Sequence, residues 1–244
     1  MIQKIVLFVI GIFDYFYQKD IFIFLKKMGI DKLNILIDVG AHHGESIMLF
    51  SNNFKIKKII SFEGSPINFK FLKKQEQKYA KKFDNTEIIL ENIALGSENK
   101  IVEFKHFKES SSSTIKKINE ESKYFKRKFK LLNFLNKEKI YQKFEIKVQK
   151  LHDYLELHNI NGVDFLKIDT EGYEYEILLG LEKKIKLVNV IMFEHHYDNM
   201  IKKEYTFGNI NDLLIKNDFK KIYKSRMPFR KTFEYIYIKR ELKS

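Results

Sequence analysis

Apolar residues fall along this chain in two rhythms. Short runs of consecutive apolar positions alternate with longer stretches in which apolar residues recur every third or fourth position. The first rhythm reads as buried strand and the second as amphipathic helix, and their alternation predicts a parallel sheet with crossover helices. The first unit is a strand at Asn34–Asp38, a glycine-containing turn from Val39 to Gly44, and a helix from Glu45 to about Asn53. The second is a strand at Lys58–Glu63 and a helix with a well-marked start. There Ser65 can cap, Pro66 fits the first helical position where its missing N–H costs nothing, and Ile67, Phe71 and Leu72 supply a buried face. A third strand runs from Glu87 to Asn92.

After Ala94-Leu95-Gly96 the pattern changes. Ile101–Phe107 reads as a strand, followed by the polar run Glu109–Thr114. Between Ile115 and Lys150 there are 12 Lys and Arg against 4 Asp and Glu, with Tyr124, Phe125, Phe129, Leu132 and Phe134 at helical spacing. This segment is expected to form an inserted helical lid that presents Lys116, Lys123, Lys126, Arg127 and Lys130 outward. The parallel pattern then resumes with a strand at Val163–Asp169 and a helix from Thr170 to Lys184 that places Tyr173, Ile177, Leu181 and Ile185 on one face. A strand at Val188–Glu194, a helix at Asn211–Asn217 and a closing strand pair, Phe219–Tyr223 and Phe233–Ile238, complete the chain. The whole predicts a three-layer α/β fold of Rossmann type, with a mostly parallel seven-stranded sheet and an antiparallel edge. Residues 1–30 are expected to form a helical extension and 31–244 one domain, with its insertion at about 108–145.

Near the start, Ile5–Phe13 form an apolar run that Asp14 ends at nine residues, about half of what a bilayer-spanning helix needs. The following residues, DYFYQKDIF, offer no small-residue cleavage site. Ile2–Met28 therefore reads as a helix packed on the domain, or as an amphipathic membrane-surface anchor flanked by Lys26 and Lys27. The expected location is cytoplasmic, peripheral to the inner face of the membrane if residues 1–28 act as that anchor.

Composition narrows the chemistry. With 44% hydrophobic residues, 23 Phe and 13 Tyr, the chain is too apolar for disorder. The absence of cysteine excludes disulfide scaffolds, Cys-ligated zinc and every thiol nucleophile, including the one that C5-cytosine methyltransferases require. The net charge of +13 favours anionic partners, whether nucleic acid, lipid headgroup or acidic substrate. The same Lys, Ile, Asn and Phe usage also fits an AT-rich genome.

Three strand ends carry the candidate chemistry. The first turn reads Asp38-Val-Gly-Ala-His-His-Gly44; it lacks the third glycine of a dinucleotide fingerprint, which disfavours NAD. An acidic strand end followed by Gly40 and Gly44, with His42 between, suits a ligand that has a cationic amino-acid end and lies close to bare backbone, a character that S-adenosylmethionine has. Glu63 ends the second strand, where a carboxylate can accept hydrogen bonds from both ribose hydroxyls. Asn92 and Ala94 follow the third strand, where an adenine edge would lie. The fourth strand ends in Asp169, Glu171 and Gly172 and the fifth in Glu194, His195 and His196. In an open α/β sheet these face one crevice, as expected of a catalytic set. Glu171 and Glu174 could also serve only the helix dipole, and the set could hold a divalent cation; nothing in the spacing demands a metal, and none is assigned.

These motifs together resemble the FkbM family of methyltransferases. DVGAHHG is similar to that family's cofactor turn, SFEGSP to its acidic second motif, NIALGS to the segment after the third strand, and LKIDTEGYE to its most distinctive motif, in continuous order from about Leu33 to Glu194. His42-His43 departs from the family, which commonly has Asn in the turn. The resemblance implies an S-adenosylmethionine-dependent methyltransferase acting on a hydroxyl of a sugar or other secondary metabolite. On this reading Asp169, His195 or His196 is the base, oriented by Glu171 and Glu194, and the acceptor is a small molecule, glycan or glycolipid, anionic if the basic insertion contacts it. Nucleic-acid methylation is the competing reading, prompted by Lys116–Lys150. It is disfavoured because Pro66 and Pro228 are the only prolines, so no Asn/Asp-Pro-Pro-aromatic motif exists. A catalytically silent, membrane-associated protein of the same fold is the third.

Overall fold

The computed structural model describes residues 18–107, 113–123, 125–127, 141–228 and 231–242. In chain order its elements begin with α1 (residues 18–27), β1 (Lys32–Val39), α2 (Glu45–Asn53), β2 (Lys55–Phe62), α3 (Pro66–Lys74), α4 (Glu76–Lys82), β3 (Glu87–Glu91), β4 (Ala94–Leu95), β5 (Lys100–Phe107) and β6 (Lys117–Ile118). They continue with β7 (Tyr141–Gln149), α5 (Leu151–Leu157), β8 (Val163–Ile168), α6 (Glu174–Leu179), a 3₁₀ helix (Glu182–Leu187), β9 (Val188–His196), β10 (Ile201–Lys202), α7 (Phe207–Lys216), β11 (Phe219–Arg226) and β12 (Thr232–Lys239).

Seven strands form one sheet in the order β11-β12-β9-β8-β1-β2-β3. The five strands from β9 to β3 run parallel, and β12 and β11 add the antiparallel edge. A parallel sheet must be covered on both faces, and β1 shows the result: its carboxyl half, Leu36 to Val39, is wholly buried. One face packs Ile37, Ile60, Leu166 and Ile191 against α5, α6 and α7; the other packs Leu36, Ile59, Phe165 and Val190 against α1 to α4. The chain reverses direction in the sheet at β1, with β2 on one side and β8 on the other. Such a switch point opens a crevice beyond the strands' carboxyl ends.

The helix starts follow their local chemistry. Ser65 Oγ accepts from the Asn68 N–H at 3.3 Å with Pro66 at the first position, while α7 begins with a reciprocal box between Thr206 and Asn209. Three expectations need correction. Phe71 is half exposed, because α3 faces the core through Asn68 and Leu72, one turn apart. The helix expected from Thr170 starts only at Glu174, since Glu171 and Gly172 both adopt positive φ (50° and 94°) and cannot continue a right-handed turn. Its four face residues, Tyr173, Ile177, Leu181 and Ile185, are nevertheless all buried.

The third correction concerns the insertion. Residues 141–149, within the expected lid, form β7, the centre of a second, three-stranded sheet that joins β4 and β5. Its Phe144, Ile146 and Val148 alternate with polar residues at period two, a strand pattern masked by the surrounding lysines. Phe125 is buried with Phe107, Met200 and Ile201; Tyr124, Phe129, Leu132 and Phe134 lie outside the described residues. So do Lys130 and residues 1–17 of the expected N-terminal helix. Within α1, Ile21, Phe22 and Leu25 are buried against the domain, Phe22 edge-on to Phe50 and Phe54. No helix among the described residues is long and apolar enough to cross a membrane.

Candidate active site

The carboxyl ends of β1, β2, β8 and β9 border one cavity of about 340 Å³. Its size falls within the range of small-molecule sites.

The β1 and β2 side is built mainly from backbone. Gly40 has φ 87°, and a Cβ there would meet the Asp169 carbonyl oxygen at 1.8 Å, so only glycine lets the turn pass this close to β8. The turn is also fixed by the Gly40 and Ala41 N–H groups, which donate to the Phe62 carbonyl at 2.9 and 3.0 Å. Beside it, Glu63 accepts from the His42 N–H at Oε2 and from the Ser65 N–H at Oε1, each at 2.8 Å. Burial pushes the Glu63 carboxyl up to about 7, against the pull of those two N–H groups and of His42. Asn92 does not border the cavity: its amide donates to the Glu63 carbonyl at 2.8 Å. Ala94 does border it, with Gly64 and Ile93. Gly44 lies outside it as the left-handed N-cap of α2, close under the Tyr79 hydroxyl.

Asp38 is also outside the cavity wall. It is fully buried, and the positive charge it faces is Lys167, its cross-strand partner, at 3.4 Å. Lys167 and Asp169 do line the cavity, and the Lys167 ammonium donates to Asp169 Oδ2 at 3.2 Å. The sequence did carry a signal for Lys167, a lysine inside an apolar strand, two residues from Asp169 and therefore on the same face.

On the β8 and β9 side the carboxylates are governed by side-chain charge. Glu171 and Glu194 line the cavity, and His196 stands between them, with Nε2 at 3.3 Å from Glu171 and 3.8 Å from Glu194. Burial works against a charged His196, but Glu171, Asp198 and Glu194 outweigh it and push the imidazole up to about 10. This direction favours the imidazolium, the form that has no lone pair to accept a proton. Glu194 is raised well above the usual carboxylate range by burial, then by Asp169 and by Glu234, its partner across β12. His195 points to the opposite face of β9, as alternation dictates. It packs among Tyr197, Tyr205 and Phe207, and burial with Lys203 pushes it down to about 3. It does not border the cavity.

The Glu171 backbone, in its left-handed conformation, is held by the Thr114 hydroxyl, which donates to its carbonyl at 2.9 Å. Sequence reasoning missed Thr114, Gly64, Tyr173 and Met227, of which the last three line the cavity. It also misplaced Lys116, whose ammonium pairs with Glu176 and lies over the Tyr173 ring at 5.2 Å instead of facing outward. Among the described residues, His42, His43 and Glu45 bring three metal-ligand atoms within 4.8 Å of one another. The two imidazoles lie face to face, 3.8 Å apart, so their in-plane lone pairs run side by side and do not meet at one point.

The family model described as the methyltransferase FkbM domain matches residues 38–221. The chain belongs to the FkbM methyltransferase family. Among solved structures, the methyltransferase FkbM of Methylobacillus flagellatus KT is similar over 84% of this chain, with a TM-score of 0.55 and 16% identity. The match covers 43% of that protein, so this FkbM chain spans less than half its length. Magnesium protoporphyrin IX methyltransferase of Synechocystis PCC 6803, crystallised with S-adenosylmethionine, is similar over 93% of this chain and 80% of its own, with a TM-score of 0.51 and 8% identity. Its complex with S-adenosylhomocysteine matches with a TM-score of 0.52. No curated protein matches the chain. The fold is thus that of S-adenosylmethionine-dependent methyltransferases.

Proposed function

We propose that this FkbM-family protein binds S-adenosylmethionine and transfers its methyl group to a hydroxyl oxygen of a sugar, glycoconjugate or related small metabolite. The observation that carries the reading is that Glu63 and Asp169, from strand ends on either side of β1, line the same cavity.

The donor set of the cleft suits the cofactor. Both Glu63 oxygens already accept one backbone N–H, and a carboxylate has about four lone-pair sites, so each can still receive a ribose hydroxyl. Gly40 and Ala41 offer a bare wall. When bound, S-adenosylmethionine supplies a methyl group already activated on a sulfonium. The chain's part is then to align the acceptor oxygen and take its proton, steps that positioning and a general base accelerate. We assign the base to Asp169, because the carboxylates around His196 favour its imidazolium and His195 faces away from the cavity. His196 faces Glu171 at the wall, and burial raises Glu194 well above the usual carboxylate range.

Glu45, Asp169 and Glu171 line the cavity beside Lys167 and His42, with Glu63 and Glu194 both raised by burial. The reacting end of the acceptor is therefore neutral or cationic, and any anionic group on it lies away from this wall. That also disfavours a phosphodiester backbone.

The test is transfer of isotopically labelled methyl from S-adenosylmethionine to glycan and metabolite extracts, followed by mass spectrometry. Label on a hydroxyl oxygen is expected, and Asp169→Asn should lower transfer by at least about a hundredfold while retaining affinity for S-adenosylhomocysteine. Label confined to nucleic acid or protein, or full transfer by the variant, would reject the reading.

A further inference from the structure

We infer that Lys167 is a positioning residue, a buried ammonium that ties the strand carrying the cofactor turn to the Asp169 carboxylate and holds that carboxylate at the cavity wall. The inference rests on Asp169 being the base proposed above.

Its placement follows from strand geometry. Asp38 and Lys167 are register partners on the adjacent parallel strands β1 and β8. Lys167 and Asp169 are two residues apart and so project to the same side. The Lys167 Nζ atom lies 3.2 Å from Asp169 Oδ2 and 3.4 Å from Asp38 Oδ1, which uses two of the three protons of the ammonium. Burial works against the charge of Lys167, but Asp169, then Asp38 and Glu194, keep it protonated.

A simpler role would be that Lys167 only neutralises Asp38, a fully buried carboxylate that would otherwise stand alone. Two observations argue for more. The ammonium lies nearer to Asp169, whose side chain is 35% exposed and reaches the cavity, than to the fully buried Asp38. The Asp169 main chain is also anchored to the same turn: its N–H donates to the Val39 carbonyl at 2.9 Å, and its carbonyl abuts Gly40. Main chain and side chain of Asp169 are thus each pinned to β1 or its turn, the side chain through Lys167.

The two roles separate in a double variant. Lys167→Met alone strands Asp38 as a buried charge and can unfold the protein, whereas Asp38→Asn/Lys167→Met removes both charges together. If Lys167 only neutralises Asp38, the double variant should transfer methyl as well as Asp38→Asn does. If it positions Asp169, the double variant should keep the unfolding midpoint and the S-adenosylhomocysteine affinity of Asp38→Asn but transfer at least about tenfold more slowly. Its crystal structure should also show the Asp169 carboxylate displaced from its place in the wild type. Equal transfer rates, or an unmoved carboxylate, would overturn the inference. Failure of the underlying reading looks different, because Asp169→Asn would then transfer methyl at the wild-type rate.

Discussion

The two sides of the cavity hold their carboxylates by different means. On the β1 and β2 side, Glu63 is fixed by two backbone N–H groups from the turn and from the start of α3. On the β8 and β9 side, Asp169 and Glu171 are fixed by buried cations, Lys167 and His196, that arrive from the same or a neighbouring strand. Backbone donors come with the turn and cannot be deleted by changing a side chain. Buried ion pairs depend on every partner being present, and losing one leaves an uncompensated charge. The first side is therefore robust and local, the second exacting and dependent on the assembled sheet.

Gly40→Ala should produce the largest effect, since it strikes the point where the two sides touch. The new Cβ would fall 1.8 Å from the Asp169 carbonyl oxygen in a backbone conformation that disfavours side chains. A loss of at least about 4 kcal/mol in urea unfolding is expected; a loss under about 1 kcal/mol would mean that the contact relaxes freely.

His196→Gln probes the side held by ions. Removing the imidazolium between Glu171, Glu194 and Asp198 should cost about 3 kcal/mol at neutral pH. The pH dependence follows from its folded value of about 10 against about 6.5 in the unfolded chain. The stabilisation is complete below the lower value and is lost as pH rises through the upper one. Wild-type stability should therefore fall between about pH 7 and 10 more steeply than that of the variant, and parallel pH curves would contradict the assignment.

Glu63→Gln tests the side held by backbone and should act on affinity more than on folding. S-adenosylhomocysteine binding measured by calorimetry should weaken about tenfold, or about 1.4 kcal/mol. In the wild type the Glu63 carboxyl is held at about 7, and a carboxylate accepts hydroxyls better than a carboxyl does. Affinity should rise as pH increases from about 6 to 8, and the variant should lose that slope. A flat wild-type profile would move the ribose elsewhere.

Features that depend on near neighbours in the chain are legible without the fold. Runs such as Asn34–Asp38 and Val188–Glu194 specified strands because a sheet covered on both faces needs continuous apolar segments, and Ser65-Pro66 specified a helix start through capping chemistry that involves only neighbours. Gly40 and Glu63 were legible for the same reason, as was the family through its motifs. Which charges meet is set by the assembled sheet. Nothing in the spacing says that Lys167 stands opposite Asp38, because that pairing depends on the register of two strands far apart in sequence. Nor could the sequence separate His195 from His196: adjacent residues on a strand face opposite sides, and only the assembled sheet shows that one side is an aromatic cluster and the other a nest of carboxylates. Tyr141–Gln149 is a strand and not the expected helix because its period-two pattern sits among lysines, and it pairs with Lys100–Phe107 and Ala94–Leu95, which are 34 to 54 residues away in the register.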